Sequence, residues 1–491
     1  MKKNYSRREA LHYAGAGAAA LAGSGLLAAC SDVDAPFDAS GAERPGVVDP
    51  EIPVGDPATW WLNGNYAPVD AERDVLDLKV VGSIPPELNG VYMRNGPNPV
   101  TGESAHWFFG HGMLHGVRIR DGAAEWYRNR YIQTELLTDP PQGGLGPPSR
   151  TAHQANTAIA VHDGRVLAVA ETGLPYEIDR ELGTRGWYDY DGKLTTAMTA
   201  HPKVDPRTGE MLFFGYGFSD FLTYHQVNAA GVLVRSEKID LPAFSMMHDF
   251  AVSENHVVFI DVPIGFDFDL LTSGFPLAWD DEHPSRLGVM PRNGGNADVV
   301  WVEIDQCMIV HTMNAHDTED GKVVLEVARM PELWRGGPSN WQTGNLWRYT
   351  IDPAAGTVRE EQLDEQICDF PQFDRSLLGR KNRYGYAAHF GVDTPEGVLR
   401  GVNGLIKYDL ERGSSQRLDL PAGHASDEVY FVPAADGSAE DHGYLVGFGH
   451  DARSNRSHLA IYDAEAMEKV ATVEIPVRVP AGFHGMWIDE P

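Results

Sequence analysis

The sequence predicts an all-β protein folded as one large closed body, a propeller, and three features carry that reading. Runs of five to eight residues rich in Val, Ile, Phe, Tyr and Trp follow one another from Trp60 onward, separated by turn residues. Asp-Gly pairs sit between such runs, and long amphipathic helical patterns are missing. About 430 residues of short strands exceed what one sandwich holds, and a propeller disposes of long exposed edges at that size.

Composition narrows the function classes. The chain has 491 residues and a formal charge of −30, from 40 Lys+Arg against 70 Asp+Glu. That balance argues against a protein that grips a phosphate backbone, which needs clustered cations. Hydrophobic residues make up 42%, enough for a substantial core and too many for a disordered chain. Cys30, Cys307 and Cys368 are the only cysteines and form no CxxC pair, so a four-thiolate zinc site is excluded. Any metal must be held by histidine and carboxylate.

Residues 1–29 read as a targeting segment. Lys2, Lys3, Arg7 and Arg8 form a basic start, and Ala14–Ala29 is apolar, small and too glycine-rich for a membrane span. Ser6-Arg7-Arg8-Glu9-Ala10-Leu11 resembles a twin-arginine signal, with Ala10 in place of the usual Phe. Leu27-Ala28-Ala29-Cys30 resembles a bacterial lipobox, which implies cleavage before Cys30 and lipidation of its sulfur; a plain secretory signal is the other reading. Twin-arginine export carries folded proteins, so a metal could be loaded before crossing. Residues 30–59, rich in Asp, Pro, Gly and Ala, read as the lipidated cysteine and a flexible tether. The expected location is the periplasm or the cell surface, anchored to a membrane.

The catalytic-size body is 60–491. Within it Val117–Trp126, Val161–Ala170 and Thr318–Val327 each place Asp-Gly between β-rich runs, where two φ > 0 residues would close a hairpin. His256–Pro263, Glu210–Gly215 and Tyr444–Phe448 read as further strands. The stretch Ile264–Trp279 is strongly apolar. It is either a surface patch that meets membrane or a greasy substrate, or core beneath a long loop.

Of 19 histidines, four stand in apolar flanks: His201, His248, His311 and His484. A buried polar ring needs a partner, and four such rings could find it in one metal. They are 47, 63 and 173 residues apart, compatible with one ring per repeat around a central axis. His106, His111 and His115 have metal-like spacing, but Gly110, Gly112 and Gly116 break the helix that would align them, so they read as loop or packing residues. His316 lies an odd offset from His311, so strand alternation turns only one of the two inward, and the flanks favour His311.

These segments carry a resemblance. Asn89-Gly90-Val91-Tyr92-Met93-Arg94-Asn95-Gly96-Pro97-Asn98-Pro99, His201-Pro202, Met247-His248-Asp249-Phe250, His311-Thr312-Met313-Asn314-Ala315, Phe370-Pro371-Gln372 and Gly482-Phe483-His484-Gly485 make the chain, from about Trp60 to its end, resemble the carotenoid cleavage oxygenase family. The resemblance implies a seven-bladed β-propeller with a loop-built dome over one iron face. It implies one Fe(II) per chain on His201, His248, His311 and His484, and cleavage of a C=C bond by dioxygen into two carbonyl products. Imidazole suits iron(II), and four neutral ligands leave two of six octahedral positions open.

The resemblance further implies three carboxylates that orient the ligand rings, at Glu171, Asp369 and Glu428. Asp369 is one methylene shorter than the family's usual Glu, so a longer or water-mediated contact is expected there. Stilbene-cleaving members carry a phenol-binding lysine just before the first glutamate; here that position is Ala170. The expected substrate is therefore an apolar carotenoid or apocarotenoid. Cleavage of a lignin-type stilbene is the nearest alternative, which a Lys or Tyr in the pocket would support. A non-catalytic ligand-binding propeller lipoprotein is the alternative from another class.

Overall fold

The computed structural model describes residues 57–490, apart from 141–148, 218–220, 339, 391–400, 436 and 438. The targeting segment and lipidated Cys30 lie outside the described residues. So does most of the stretch read as a tether, although its end, from Pro57, already belongs to the 3-10 helix Pro57–Leu62.

Asp-Gly chemistry closes two of the three expected hairpins as anticipated. Asp121 and Gly122 (φ 51° and 74°) join Gly112–Arg120 to Ala123–Tyr131, and Asp163 and Gly164 (φ 47° and 72°) join Ala158–His162 to Arg165–Val169. The third differs. Between Met308–Asp317 and Val323–Met330 only Gly321 is left-handed (φ 81°). The loop is longer because Thr318 Oγ1 accepts from Lys322 N (3.0 Å) and Thr318 N donates to Lys322 O (2.9 Å), which holds a wider turn.

The strands assemble into seven antiparallel blades. Blades 2 to 5 are four-stranded meanders beginning at Ala158, Lys203, Ala251 and Met308. Blade 6 runs from Cys368–Gln372 to Ser414–Asp419, and blade 7 from Tyr430–Pro433 to Glu468–Ile475. The short strand His424–Ser426 bonds to both of these blades and merges them into one continuous sheet. Blade 1 closes the ring: C-terminal Gly485–Asp489 pairs with Gly90–Arg94, so the two ends of the body share a sheet. Val80–Gly82 likewise edges blade 7 by pairing with Ala471–Val473. Radial repetition leaves only short edges at the rim, such as the exposed outer strand Ser414–Asp419 of blade 6.

The first strand of each blade faces the axis. Ala160, Val204, Thr312, Gln372, Tyr430 and Ile488, one from each of six blades, line a single central cavity of about 430 Å³. Apolar layers between blades form the core, with Phe213, Phe259, Leu325, Tyr349 and Val446 wholly enclosed. Over one end of the axis lies the dome, built from Pro57–Tyr66, Trp107–Phe109, the hairpin Ile264–Trp279 and the bridge Leu333↔Trp341.

That hairpin settles the apolar stretch. Ile264, Phe275, Leu277 and Trp279 are buried, whereas Phe266 and Phe268 are half-buried and stack edge-on at 4.9 Å. The two arms of the hairpin pack into the core and the described part of its middle is half-buried or exposed. Among the described residues no helix is long and apolar enough to cross a membrane.

Candidate metal centre

Six of the seven blades contribute a residue near the start of the axial strand. For blades 3, 4, 5 and 1 these residues are His201, His248, His311 and His484; for blades 6 and 7 they are Asp369 and Glu428. The ring of blades therefore converts four distant histidines into neighbours. One ring nitrogen from each lies within 4.8 Å of the others. Nε2 of His201 and of His248 are 2.9 Å apart. His316 stays outside this group, as do His106, His111 and His115. His115 packs within a strand and bonds Tyr127 at 3.0 Å, and the buried His106 ring lies 4.3 Å from Phe275.

Three of the four rings have Nδ1 on a carboxylate. His248 Nδ1 bonds Glu171, from the turn after the second strand of blade 2. His311 Nδ1 bonds Asp369 at 2.7 Å, and His484 Nδ1 bonds Glu428 at 3.2 Å. A proton held on Nδ1 leaves the Nε2 lone pair pointing at the centre, the tautomer a metal requires. The carboxylates are themselves held. Tyr216 O–H donates to Glu171, Gln372 Nε2 donates to Glu428 Oε1 (2.7 Å), and Gly485 N donates to Glu428 Oε2 (3.0 Å).

The expectation of a long or water-mediated Asp369 contact is overturned. Phe370 takes a left-handed conformation (φ 53°), and the strand register shifts between Asp369 and Gln372. The shorter side chain reaches His311 directly, and Phe370 N donates to the same Asp369 oxygen at 2.7 Å.

Close packing fixes the segment around His484. A Cβ on Gly482 would lie 1.5 Å from Arg94 Nη1, and one on Gly485 would lie 2.2 Å from Tyr92 Oη. Only glycine fits at either position, which explains the glycines flanking Phe483-His484. Below the histidines, Lys203 Nζ bonds Asp249 Oδ1 (2.7 Å), and Asp249 Oδ2 accepts from Thr312 N (2.8 Å) and Oγ1 (2.7 Å). This buried network ties together the axial strands of blades 3, 4 and 5, each next to its ligand ring.

Electrostatics match a cation site. Burial, reinforced by the rings of His248, His484 and His311, holds His201 well below the usual 6.5, so it stays a neutral donor. Burial also lowers His484, against the opposing pull of Glu428. At His311 burial presses downward, but the charge and hydrogen bond of Asp369 outweigh it and raise the ring above 6.5. Nε2 of His311 is buried with no hydrogen-bond partner among the described residues. Such an orphan is costly unless a ligand satisfies it. Four convergent imidazoles, an orphaned nitrogen and three nearby carboxylates fit a divalent transition metal with bonds of about 2.1 Å.

Above the cluster opens an apolar cavity of about 120 Å³, walled by Phe108, Leu277, Val310, Phe370 and Phe483 and reaching His248, His311 and His484. Ala170 and Glu171 line it side by side. Sequence reasoning missed Tyr216, which also lines this cavity; its only local signal is an aromatic at the end of Met211–Gly215. It also missed Trp107 and Trp341, which line the same cavity.

Fold and site together define a metalloprotein class, a seven-bladed propeller with a four-histidine axial centre beneath an apolar cavity. The model of the retinal pigment epithelial membrane protein family matches residues 66–489. The carotenoid cleavage oxygenase of Mycobacterium tuberculosis is 35% identical, over 87% of this chain and 97% of its own. The carotenoid 9,10(9',10')-cleavage dioxygenase of Crocus sativus is 35% identical, over 88% and 89%. The lignostilbene dioxygenase structure from Pseudomonas brassicacearum superposes with a TM-score of 0.80 at 28% identity, covering 89% of this chain and all of that one. The chain belongs to this family of carotenoid cleavage oxygenases.

Proposed function

We propose that the protein is a non-haem Fe(II) dioxygenase that cleaves a conjugated C=C bond of a carotenoid or apocarotenoid, placing one atom of dioxygen on each of two carbonyl products. The observation that carries the reading is the four-imidazole cluster opening directly into an apolar cavity beside Ala170. His201, His248, His311 and His484 would hold the iron. Bound there, iron supplies the activation of dioxygen.

The chain's own residues do the rest. Glu171, Asp369 and Glu428 keep three rings in the metal-binding tautomer and temper the cation's charge. Phe370 lies over the cluster, its ring 5.1 Å from His311 and 5.6 Å from His484, where it excludes water and holds a flat polyene. Ala170 adds no charge to the cavity and leaves room for an apolar chain. The stilbene alternative would use Tyr216, but its O–H is already committed to Glu171.

Product analysis tests the reading. Iron-loaded protein is offered an apocarotenal and a hydroxystilbene in parallel under ¹⁸O-labelled dioxygen. Labelled polyene aldehydes are expected; labelled phenolic aldehydes alone would overturn the substrate assignment.

Location is a separate proposal, resting on Arg7-Arg8 and on Leu27-Ala28-Ala29-Cys30. The mature protein starts at a lipidated Cys30 and is tethered to a membrane beside dissolved polyenes. Mass spectrometry of the mature N-terminus checks it: an unmodified start elsewhere would discard the anchor.

A further inference from the structure

Backbone and amide donors steady two of the three carboxylates beside the ligand rings: Phe370 N on Asp369, and Gln372 Nε2 with Gly485 N on Glu428. Glu171 has a phenol instead. Its Oε1 bonds His248 Nδ1, and its Oε2 accepts from Tyr216 O–H. Among the described residues this carboxylate makes no other hydrogen bond.

Location gives that phenol its weight. Glu171 and Tyr216 both line the apolar cavity over the histidines, together with Phe108, Phe244 and Leu277. A carboxylate oxygen without a donor on such a wall is strongly unfavourable, and more so when hydrocarbon displaces water from it. The Tyr216 ring is itself fixed. It stacks on Phe214, with centroids 5.8 Å apart and planes at 21°, and meets Phe244 edge-on at 5.6 Å. Phe214 O accepts from Thr199 N at 2.8 Å, two residues before His201, so the strand leading to the phenol is also bonded to a ligand segment. Burial and the charge of Glu171 hold the phenol well above its ordinary 10, so it remains a donor. Three blades thus meet at one carboxylate: Glu171 from blade 2, Tyr216 from blade 3 and His248 from blade 4.

We propose that Tyr216 is a positioning residue with two tasks: its O–H keeps Glu171 aimed at His248, and the same bond caps the second carboxylate oxygen so that an apolar polyene can lie against Glu171. The first task acts on metal affinity and the second on substrate affinity, so one hydroxyl group moves both. This assignment rests on the metal-centre and polyene readings above.

Tyr216→Phe removes that oxygen alone and leaves the ring between Phe214 and Phe244. Two binding measurements follow it without turnover: competition for Co(II) against a chelator, and anaerobic quenching of tryptophan fluorescence by an apocarotenal. Tyr216→Phe should weaken Co(II) binding about tenfold and apocarotenal binding several-fold. In a Glu171→Gln background no charge is left to cap, so adding Tyr216→Phe should change apocarotenal binding little. A variant that keeps both affinities, whatever its melting temperature, would reduce the phenol to packing and overturn the proposal. Equal loss of apocarotenal binding in both backgrounds would overturn it too, because independent effects add. Movement of only one affinity would refute the joint assignment.

Should Tyr216→Phe fail to fold, Glu171→Gln alone judges the capping. A charge already capped by the phenol costs the polyene little, so apocarotenal affinity should stay within about twofold of wild type. A several-fold gain on removing the charge would show it uncapped and overturn the proposal. Wild-type protein that takes up no Co(II), or binds no apocarotenal, would bring down the metal-centre or the polyene reading instead.

Discussion

Asp369 Oδ1 accepts from Nδ1 of His311 at 2.7 Å although its side chain is one methylene shorter than a glutamate. The next residue, Phe370, is left-handed, and its N–H donates to the same carboxylate oxygen at 2.7 Å. Asp369→Ala should weaken iron binding by about 10- to 100-fold. Asp369→Asn keeps an acceptor but loses the charge, and should fall between that variant and wild type. Equilibrium competition against a chelator measures the order. Equal affinity in all three would mean that the contact does not tune the site.

His311 Nε2 is the buried orphan of the cluster, so metal content should respond sharply to its loss. Purified protein should carry close to one iron per chain, and His311→Ala little or none. Chelation of the wild type should lower its melting temperature, because a metal at a thousand times its Kd contributes about 4 kcal/mol. A melting curve indifferent to chelator would contradict a folded-state metal site.

Ala170 borders the apolar cavity beside Glu171. Ala170→Lys would place an ammonium where the polyene is expected to lie, and an unpaired buried charge is strongly unfavourable. The kcat/KM for an apocarotenal should drop tenfold or more, with a relative gain for a hydroxystilbene that can pair with the lysine. Parallel turnover assays on both substrates read the exchange.

Asp205 gives a pH signature away from the metal. Burial opposes its ionisation, but Arg292, at 2.6 Å, and the backbone N–H groups of Arg207 and Thr208 outweigh burial and hold its carboxyl below the ordinary 3.8. A depressed folded-state value means stability that is present above the unfolded value and lost as pH falls through the folded one. Asp205→Asn should therefore cost about 3 kcal/mol at neutral pH, since it strands the buried Arg292. Denaturation midpoints of variant and wild type should converge only once the pH falls below the ordinary carboxylate value of 3.8. A constant gap down to pH 2 would rule out this coupling.

Much of the fold was readable from neighbouring residues. Asp121-Gly122 and Asp163-Gly164 announce their hairpins because the φ > 0 requirement is met within two positions. The Thr318–Lys322 loop escaped the same rule, since a threonine side chain four residues away competes for the turn. The four histidines were legible through their apolar flanks and the motifs around them. Tyr216 was not, because nothing beside it in the chain distinguishes it from a strand-end aromatic until Glu171 arrives from the adjoining blade.

The amino-acid sequence by itself determined an all-β body, two of its hairpin turns, the four histidines that cluster and the alanine beside Glu171. Those are properties of short segments, decided by local backbone preference and by residue type. Only the tertiary structure decided that Asp369 touches His311 directly. It also decided that Ile264, Phe275, Leu277 and Trp279 enter the core while Phe266 and Phe268 stay half-buried. The Asp369–His311 contact joins residues 58 apart on adjoining blades, so no local backbone preference could fix it; it exists only once the two blades pack side by side.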